Sequence, residues 1–186
     1  SSAGMEVDIE IVQTLSQHTT MLIENITLEK IATYDDLTKL KNSRVFRDIL
    51  SNYCSDFKRI SLILLDIDHF KKVNDTHGHN VGDTVIKAIS KLIQEAIREF
   101  DIACRYGGEE FVILLPNTPI QDGYAFSERL RKIVEAWHLG DLMVTVSIGL
   151  AASPPNPLTS VDDLVKAADL QLYQAKHAGR NQVMCQ

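Results

Sequence analysis

The sequence predicts an α/β chain of the α+β kind. Its kernel is ferredoxin-like, or palm-type, with a central, mostly antiparallel sheet flanked by helices and an N-terminal helical extension in front. Three observations predict it. The run "RISLILLDID" (59–68) is apolar almost throughout, as a strand buried on both faces must be. Two amphipathic helical patterns, around 78–100 and from Thr118-Pro119 to about Trp137, separate short β-rich runs. Two of those runs, 101–106 and 111–116, flank a glycine-rich turn and read as a hairpin. The resulting order, strand–helix–strand–strand–helix–strand, is the ferredoxin-like pattern.

Each element has its own signal. In residues 5–34, Val12, Leu15, Thr19, Leu22 and Ile26 step by three and four, as the seam of a dimerising or packing helix would. A helix lying on its own domain would show the same stripe. "TYDDLTKLKNSRVF" is a polar turn leading into a helix around 43–57, followed by the strand 59–68. The helix after Gly78 carries Val81, Val85, Ile89, Leu92, Ile93 and Ile97 at helical spacing. Pro119 suits a first helical turn. "LMVTVSIGLAAS" (142–153) is a β-branched strand that stops before "PPNP". Ser160 and Asp163 have the spacing of a capping signal for a helix reaching about Ala178, and "NQVMC" closes the chain as a strand. Residues 1–34 are therefore expected to be a linker or dimerisation helix and 35–186 the main domain. Ser1–Gly4 read as a vector-derived remnant.

Bulk properties narrow the function. The 186 residues are 45% hydrophobic and 24% charged, enough for a proper core. No apolar run approaches the ~18 residues a membrane span needs. Cys54, Cys104 and Cys185 are scattered and odd in number, which suits a reducing cytoplasm rather than a disulfide framework. A net charge of −6 argues against a nucleic-acid polymer as partner, but not against a small phosphate ligand held by local cations.

The chemistry concentrates in a few places. Asp66 and Asp68 end the apolar strand, where a buried charge needs a partner. In a ferredoxin-like kernel that strand neighbours the hairpin, so "RYGGEEF" (105–111) brings Glu109 and Glu110 close to Asp66. Three or four converging carboxylates call for a divalent cation, and oxygen-only ligands favour Mg2+ or Mn2+. A solvated hairpin tip would carry the same two glutamates. "DIDHFKKVNDTHGHNVGD" (66–83) supplies carboxylates, a lysine, an asparagine and glycines beside a helix start, the parts that hold a nucleotide. His77 and His79, one residue apart with no soft third ligand, read as polar loop or capping residues. Lys176 and Arg180, four apart, share one helix face, either as dipole compensation or as ligand contacts.

Together these stretches resemble a GGDEF domain, a diguanylate cyclase, over residues ~33–186. "DDLTKLKNSRVF" is similar to the family's opening block, with Ser43 where an arginine is usual. The central block 66–83, "GGEEF" and "LYQAKHAGRNQV" follow in the family's order. The resemblance implies cyclic di-GMP synthesis from two GTP by a homodimer. It assigns metal binding to Asp66, Glu109 and the Ile67 carbonyl. Glu110 would support a second metal or help activate the attacking 3′-hydroxyl. Lys71, Lys176 and Arg180 would contact phosphates, and Phe70 is counted with the substrate-binding residues. Asn74 and Asp83 would read guanine, and Gly108 would leave room for the nucleotide. An acceptor at Asp83 pairs with guanine and not with adenine. The resemblance further implies that Arg98 and Asp101, an RxxD motif, bind product as an inhibitory site, with Arg129 as a second arginine. Residues 8–28 also resemble the last helix of a GAF sensory domain, which implies a sensor upstream. The rival readings are a domain that binds nucleotide without turnover and a dimerisation adaptor; the second leaves the carboxylates unexplained.

Overall fold

The computed structural model describes residues 15–24, 33–55, 59–153 and 160–186. It divides into two compact units, Ser1–Tyr34 and Asp35–Gln186. In the first, helix α1 covers residues 15–24, and all ten are exposed, Leu15 and Leu22 among them. Val12 and Ile26 of the expected seam lie outside the described residues. No helix among the described residues is long and apolar enough to cross a membrane.

The second unit is built on a six-stranded sheet. Its strands are β1 (Lys41–Asn42), β2 (Ile60–Ile67), β3 (Ile102–Arg105), β4 (Glu110–Pro116), β7 (Val146–Ala152) and β8 (Val183–Cys185). They lie in the order β1-β3-β4-β2-β7-β8, and β5 (His138–Leu139) and β6 (Leu142–Met143) form a separate hairpin. The kernel strands β3-β4-β2-β7 pair antiparallel, as expected, while β1 on β3 and β8 on β7 are parallel edges.

Every residue of β2 is buried, because helices cover both faces of the sheet. Strand alternation sorts its side chains. Ile63, Leu65 and Ile67 join Phe111, Ile113 and Ile148 under α3 (Phe70–His77), α4 (His79–Ala96) and α5 (Ile120–Glu135). Leu62 and Leu64 join Val112 and Leu114 under α2 (Ser43–Ser55) and α6 (Val161–His177). Each large side chain so buried is worth about 1.5–3 kcal/mol, and the two clusters hold the sheet between them. Buried Cys104 belongs to this second cluster, and burial pushes its thiol up to about 12, which leaves it inert.

Several boundaries differ from the sequence expectation. Residues 70–77, to which the sequence reading assigns no helix, form α3; His77 ends it and His79 opens α4, with Gly78 at φ 83° between them. The expected helix to residue 100 stops at Ala96, where Ile97 turns extended. The strand expected over 142–153 is split into β6 and β7. The Ser160 cap is present: its hydroxyl accepts from the Asp163 amide at 3.1 Å and donates to the Asp163 carboxylate at 2.7 Å.

Candidate functional site

Asp66 continues the series Leu62–Leu64 and so faces the α6 side of the sheet. It stands directly across the ladder from Glu110. There α6 ends, and the Lys176 ammonium lies 2.7 Å from the Asp66 carboxylate, which is only 7% exposed. Glu109 sits in the turn before β4, and its carbonyl accepts from the Ile67 amide at 3.2 Å, which ties the turn to the end of β2. Burial raises the Asp66 carboxyl; the Lys176 hydrogen bond and charge pull the other way, and Asp68 adds repulsion. Glu109 is raised by burial and then by the charge of Asp66, with Lys176 opposing. In both, the chief cause is burial, which disfavours the charged form.

The turn is braced by residues that sequence reading passed over. The Arg105 guanidinium donates to the Gly108 carbonyl at 2.8 Å (Nη2) and to both Asp35 oxygens at 3.2 Å. Asp35 also accepts from the Thr38 amide at 2.9 Å and hydroxyl at 2.8 Å. Burial pushes Asp35 up, but Thr38 and Arg105 together outweigh it and hold the carboxyl below its ordinary value. A carboxyl with a depressed folded pKa adds stability above its unfolded pKa and loses it on acidification. Asp35→Asn should therefore cost about 1 kcal/mol at neutral pH, a modest figure because the pair is only partly buried. The gap to wild type should close as the pH falls below 3.8, and melting curves across that range would check it. No short-range signal marks the pair, since the partners are 70 residues apart.

The residues expected to take the nucleotide lie around α3 and the first turns of α4. Lys71 and Asp83 are exposed and Asn74 is half-buried. Phe70 differs: its ring is in the core at 5% exposure, so only its backbone, at the start of α3, is available to a ligand. A Cβ built on Gly108 would meet no protein atom, so space is open above the turn.

Arg180 is not on the last turn of α6, as its spacing from Lys176 suggested. The helix ends at His177, and Gly179 at φ 116° turns the chain so that the Arg180 amide bonds back to the Ala175 carbonyl at 3.0 Å. Its charge still reaches Asp66, where it favours the ionised form. Asp68 is also placed differently from expectation. Its carboxylate is occupied by the Thr145 hydroxyl at 2.7 Å, the Ser147 hydroxyl at 2.6 Å and the Asn181 amide at 3.0 Å. It staples β2 to β7 and to the turn after α6.

The RxxD pair forms the turn after α4 rather than a helix end. The Asp101 carboxylate accepts from the Arg98 backbone amide at 2.8 Å, and the Arg98 carbonyl accepts from Asp101 at 3.1 Å. Among the described residues the Arg98 guanidinium makes no ion pair, so the pair is not the surface salt bridge its spacing allowed. Arg129 of α5 reaches the Ala96 carbonyl at 3.4 Å and lies over the Phe126 ring at 5.3 Å.

Among the described residues no three His, Cys, Asp or Glu side chains form a ready-made metal cage. The expected convergence of three or four carboxylates is reduced because Asp68 is turned away. What remains, Asp66 and Glu109 with a main-chain carbonyl nearby, suits Mg2+, which takes one or two carboxylates and completes its shell with substrate phosphates and water. The raised pKa values of both groups fit a place that gains from a cation.

The family model "Diguanylate cyclase, GGDEF domain" matches residues 32–182. Diguanylate cyclase A of Treponema denticola is 35% identical over 184 residues, which cover 93% of this chain and 49% of that protein. Diguanylate cyclase DgcM of Escherichia coli K12 is 39% identical over 162 residues, covering 84% and 39%. The chain thus spans about half or less of these curated relatives. The coiled coil and GGDEF domain of DgcB from Caulobacter crescentus, solved in complex with c-di-GMP, matches with a TM-score of 0.89 at 30% identity, covering 97% of this chain and 99% of that one. The active GGEEF domain of a diguanylate cyclase from Vibrio cholerae matches at 0.73 and 28%, covering 77% and 96%. The family model spans most of the chain and the fold matches solved GGDEF domains, and the chain belongs to the GGDEF-domain family of diguanylate cyclases.

Proposed function

We propose that this chain is the catalytic part of an active diguanylate cyclase that joins two GTP molecules into cyclic di-GMP and two pyrophosphates. The observation that carries the reading is the intact cluster at the strand ends: Asp66 across from Glu110, Glu109 in the turn, and Lys176 at 2.7 Å. An adaptor has no need of this cluster; a domain that only binds nucleotide would hold Mg2+ and phosphates with the same residues, and product formation is what separates it from an active enzyme.

Asp66, Glu109 and the Ile67 carbonyl would hold a divalent cation, Mg2+ or Mn2+, with Glu110 beside them. When bound, the cation lowers the pKa of the attacking hydroxyl and neutralises charge on the phosphate and leaving group. Lys71, Lys176 and Arg180 hold the phosphates in line, and the Phe70 and Lys71 amides at the start of α3 add donors. Asn74 and Asp83 bind the guanine edge, and Gly108 leaves the nucleotide space. The 3′-oxygen of one GTP forms a bond to the α-phosphorus of the other, the α–β bridge breaks, pyrophosphate leaves, and Glu110 is the nearby carboxylate suited to take the hydroxyl proton. A second, symmetric step closes the ring.

Each domain holds one GTP, so the active form is a homodimer with two sites face to face. The exposed Leu15 and Leu22 of α1 suit a pairing helix. A sensor upstream, such as the GAF domain that residues 8–28 resemble, would control that pairing in the cytoplasm. Arg98, Asp101 and Arg129 form the product-inhibition site, a reading supported by the Arg98 guanidinium, which makes no ion pair among the described residues. Arg98→Ala should relieve inhibition by cyclic di-GMP at least about tenfold while leaving the initial rate intact. An unaltered inhibition curve would return Arg98 to a plain surface role.

The deciding experiment is mass spectrometry of products after incubation with Mg2+ and GTP, ATP, or both. Cyclic di-GMP from GTP alone is expected. Silence after bound nucleotide has been stripped, at high protein concentration, would favour a binding-only module.

A further inference from the structure

The turn that carries Arg180 is gripped from behind by α5. Arg131 donates to Glu128 at 3.2 Å, to Glu135 at 2.9 Å and to the Asn181 side-chain oxygen at 2.8 Å. The Asn181 side-chain amide donates to Glu135 at 2.6 Å, and its backbone amide donates to Asp68 at 3.0 Å. Both ends of the Asn181 side chain are therefore held by one helix, while its backbone is held by the residue two places beyond Asp66. Arg180 and Asn181 are consecutive non-glycine residues in the left-handed region, at φ 65° and 46°. Such backbone is costly and persists where its surroundings over-determine it. The Arg180 guanidinium makes no hydrogen bond or ion pair among the described residues, so its reach toward Asp66 is set by its backbone.

We infer that Arg131 and Glu135 are positioning residues for nucleotide binding: by clamping Asn181 they fix the left-handed turn that aims Arg180 at the phosphates beside Asp66. The inference rests on the proposal that the site binds GTP. A surface ion pair is a poor description of Arg131. Its side chain is only 12% exposed, and one of its bonds goes to the turn itself. The Asn181 and Arg131 hydrogen bonds hold the Glu135 carboxyl below its ordinary value, so it stays ionised at neutral pH.

The test is calorimetric binding of a GTP analogue with a methylene in place of the α–β bridging oxygen, with Mg2+. It is applied to wild type, Arg131→Ala, Arg180→Ala and the double variant, each with a melting curve. Arg131→Ala is expected to weaken binding about tenfold, and to have no further effect once Arg180 is absent, as residues acting through one another do. Equal effects in both backgrounds, or unchanged affinity in Arg131→Ala, would overturn the inference. Glu135→Ala and Glu135→Gln decide the matter if Arg131→Ala fails to fold. The glutamine oxygen still accepts from Asn181 while its amide nitrogen loses the Arg131 bond, so the second should bind more tightly than the first; equal affinities would overturn it. A wild type that does not bind the analogue would bring down the GTP reading itself and this inference with it. That result is distinct from wild-type binding with unaffected variants.

Discussion

Glu109→Gln is expected to abolish cyclic dinucleotide formation, a loss of roughly a thousandfold or more, in a protein that still folds. The substitution keeps size and shape but removes one of the two carboxylates that suit a cation. Stability should move the other way. A carboxyl whose folded pKa is raised binds its proton more tightly in the folded state, so ionising it costs stability as the pH rises past its unfolded value. Glu109 is raised, by burial and then by Asp66, so above pH 4.5 the glutamine variant should melt at or above the wild type without metal. With Mg2+ and nucleotide the order should reverse, because the wild type gains more from binding. Product chromatography and paired melting curves test both halves. Wild-type turnover in the variant would remove Glu109 from the chemistry.

The part of this arrangement that was legible in the sequence is the part that one chain segment determines. The apolar run 59–68 can be little else than a central strand, and once it neighbours the hairpin, Asp66 must meet Glu110. The parts that were missed depend on distant partners. Helix α3 begins without a side-chain cap at His69, itself in the left-handed region, and only Phe70 and Val73 are buried, so its own sequence says little. β1 and β5 have two residues each and are strands only through their neighbours. From sequence, Asp68, two residues beyond Asp66, counts among the three or four converging carboxylates. Its fate was decided by Thr145, Ser147 and Asn181, more than 70 residues away. Arg180 was misplaced for a local reason: Gly179 outweighs the four-residue spacing by ending the helix.

Gly149→Ala should lower stability by about 3 kcal/mol, or roughly 6–12 °C in melting temperature for a domain of this size. Gly149 lies in the middle of β7, paired with Leu64 of β2 and Met184 of β8, on the face that α6 covers. A Cβ there would run into the Ala168 carbonyl and the Leu172 amide, which are main-chain atoms of α6 and cannot rotate aside. The added methyl must lift the helix or bend the strand, and β7 is held by ladders on both sides. Helix α6 is the element with more freedom to move. Lys176 is one turn beyond Leu172 on that helix, so a lifted α6 draws its ammonium away from Asp66. Nucleotide binding should therefore weaken even at temperatures where the variant is fully folded. Two results are separable. A melting temperature within a degree or two of wild type would mean that α6 does not approach β7 this closely. A lowered melting temperature with full GTP affinity would mean that the approach is real but does not set the position of Lys176.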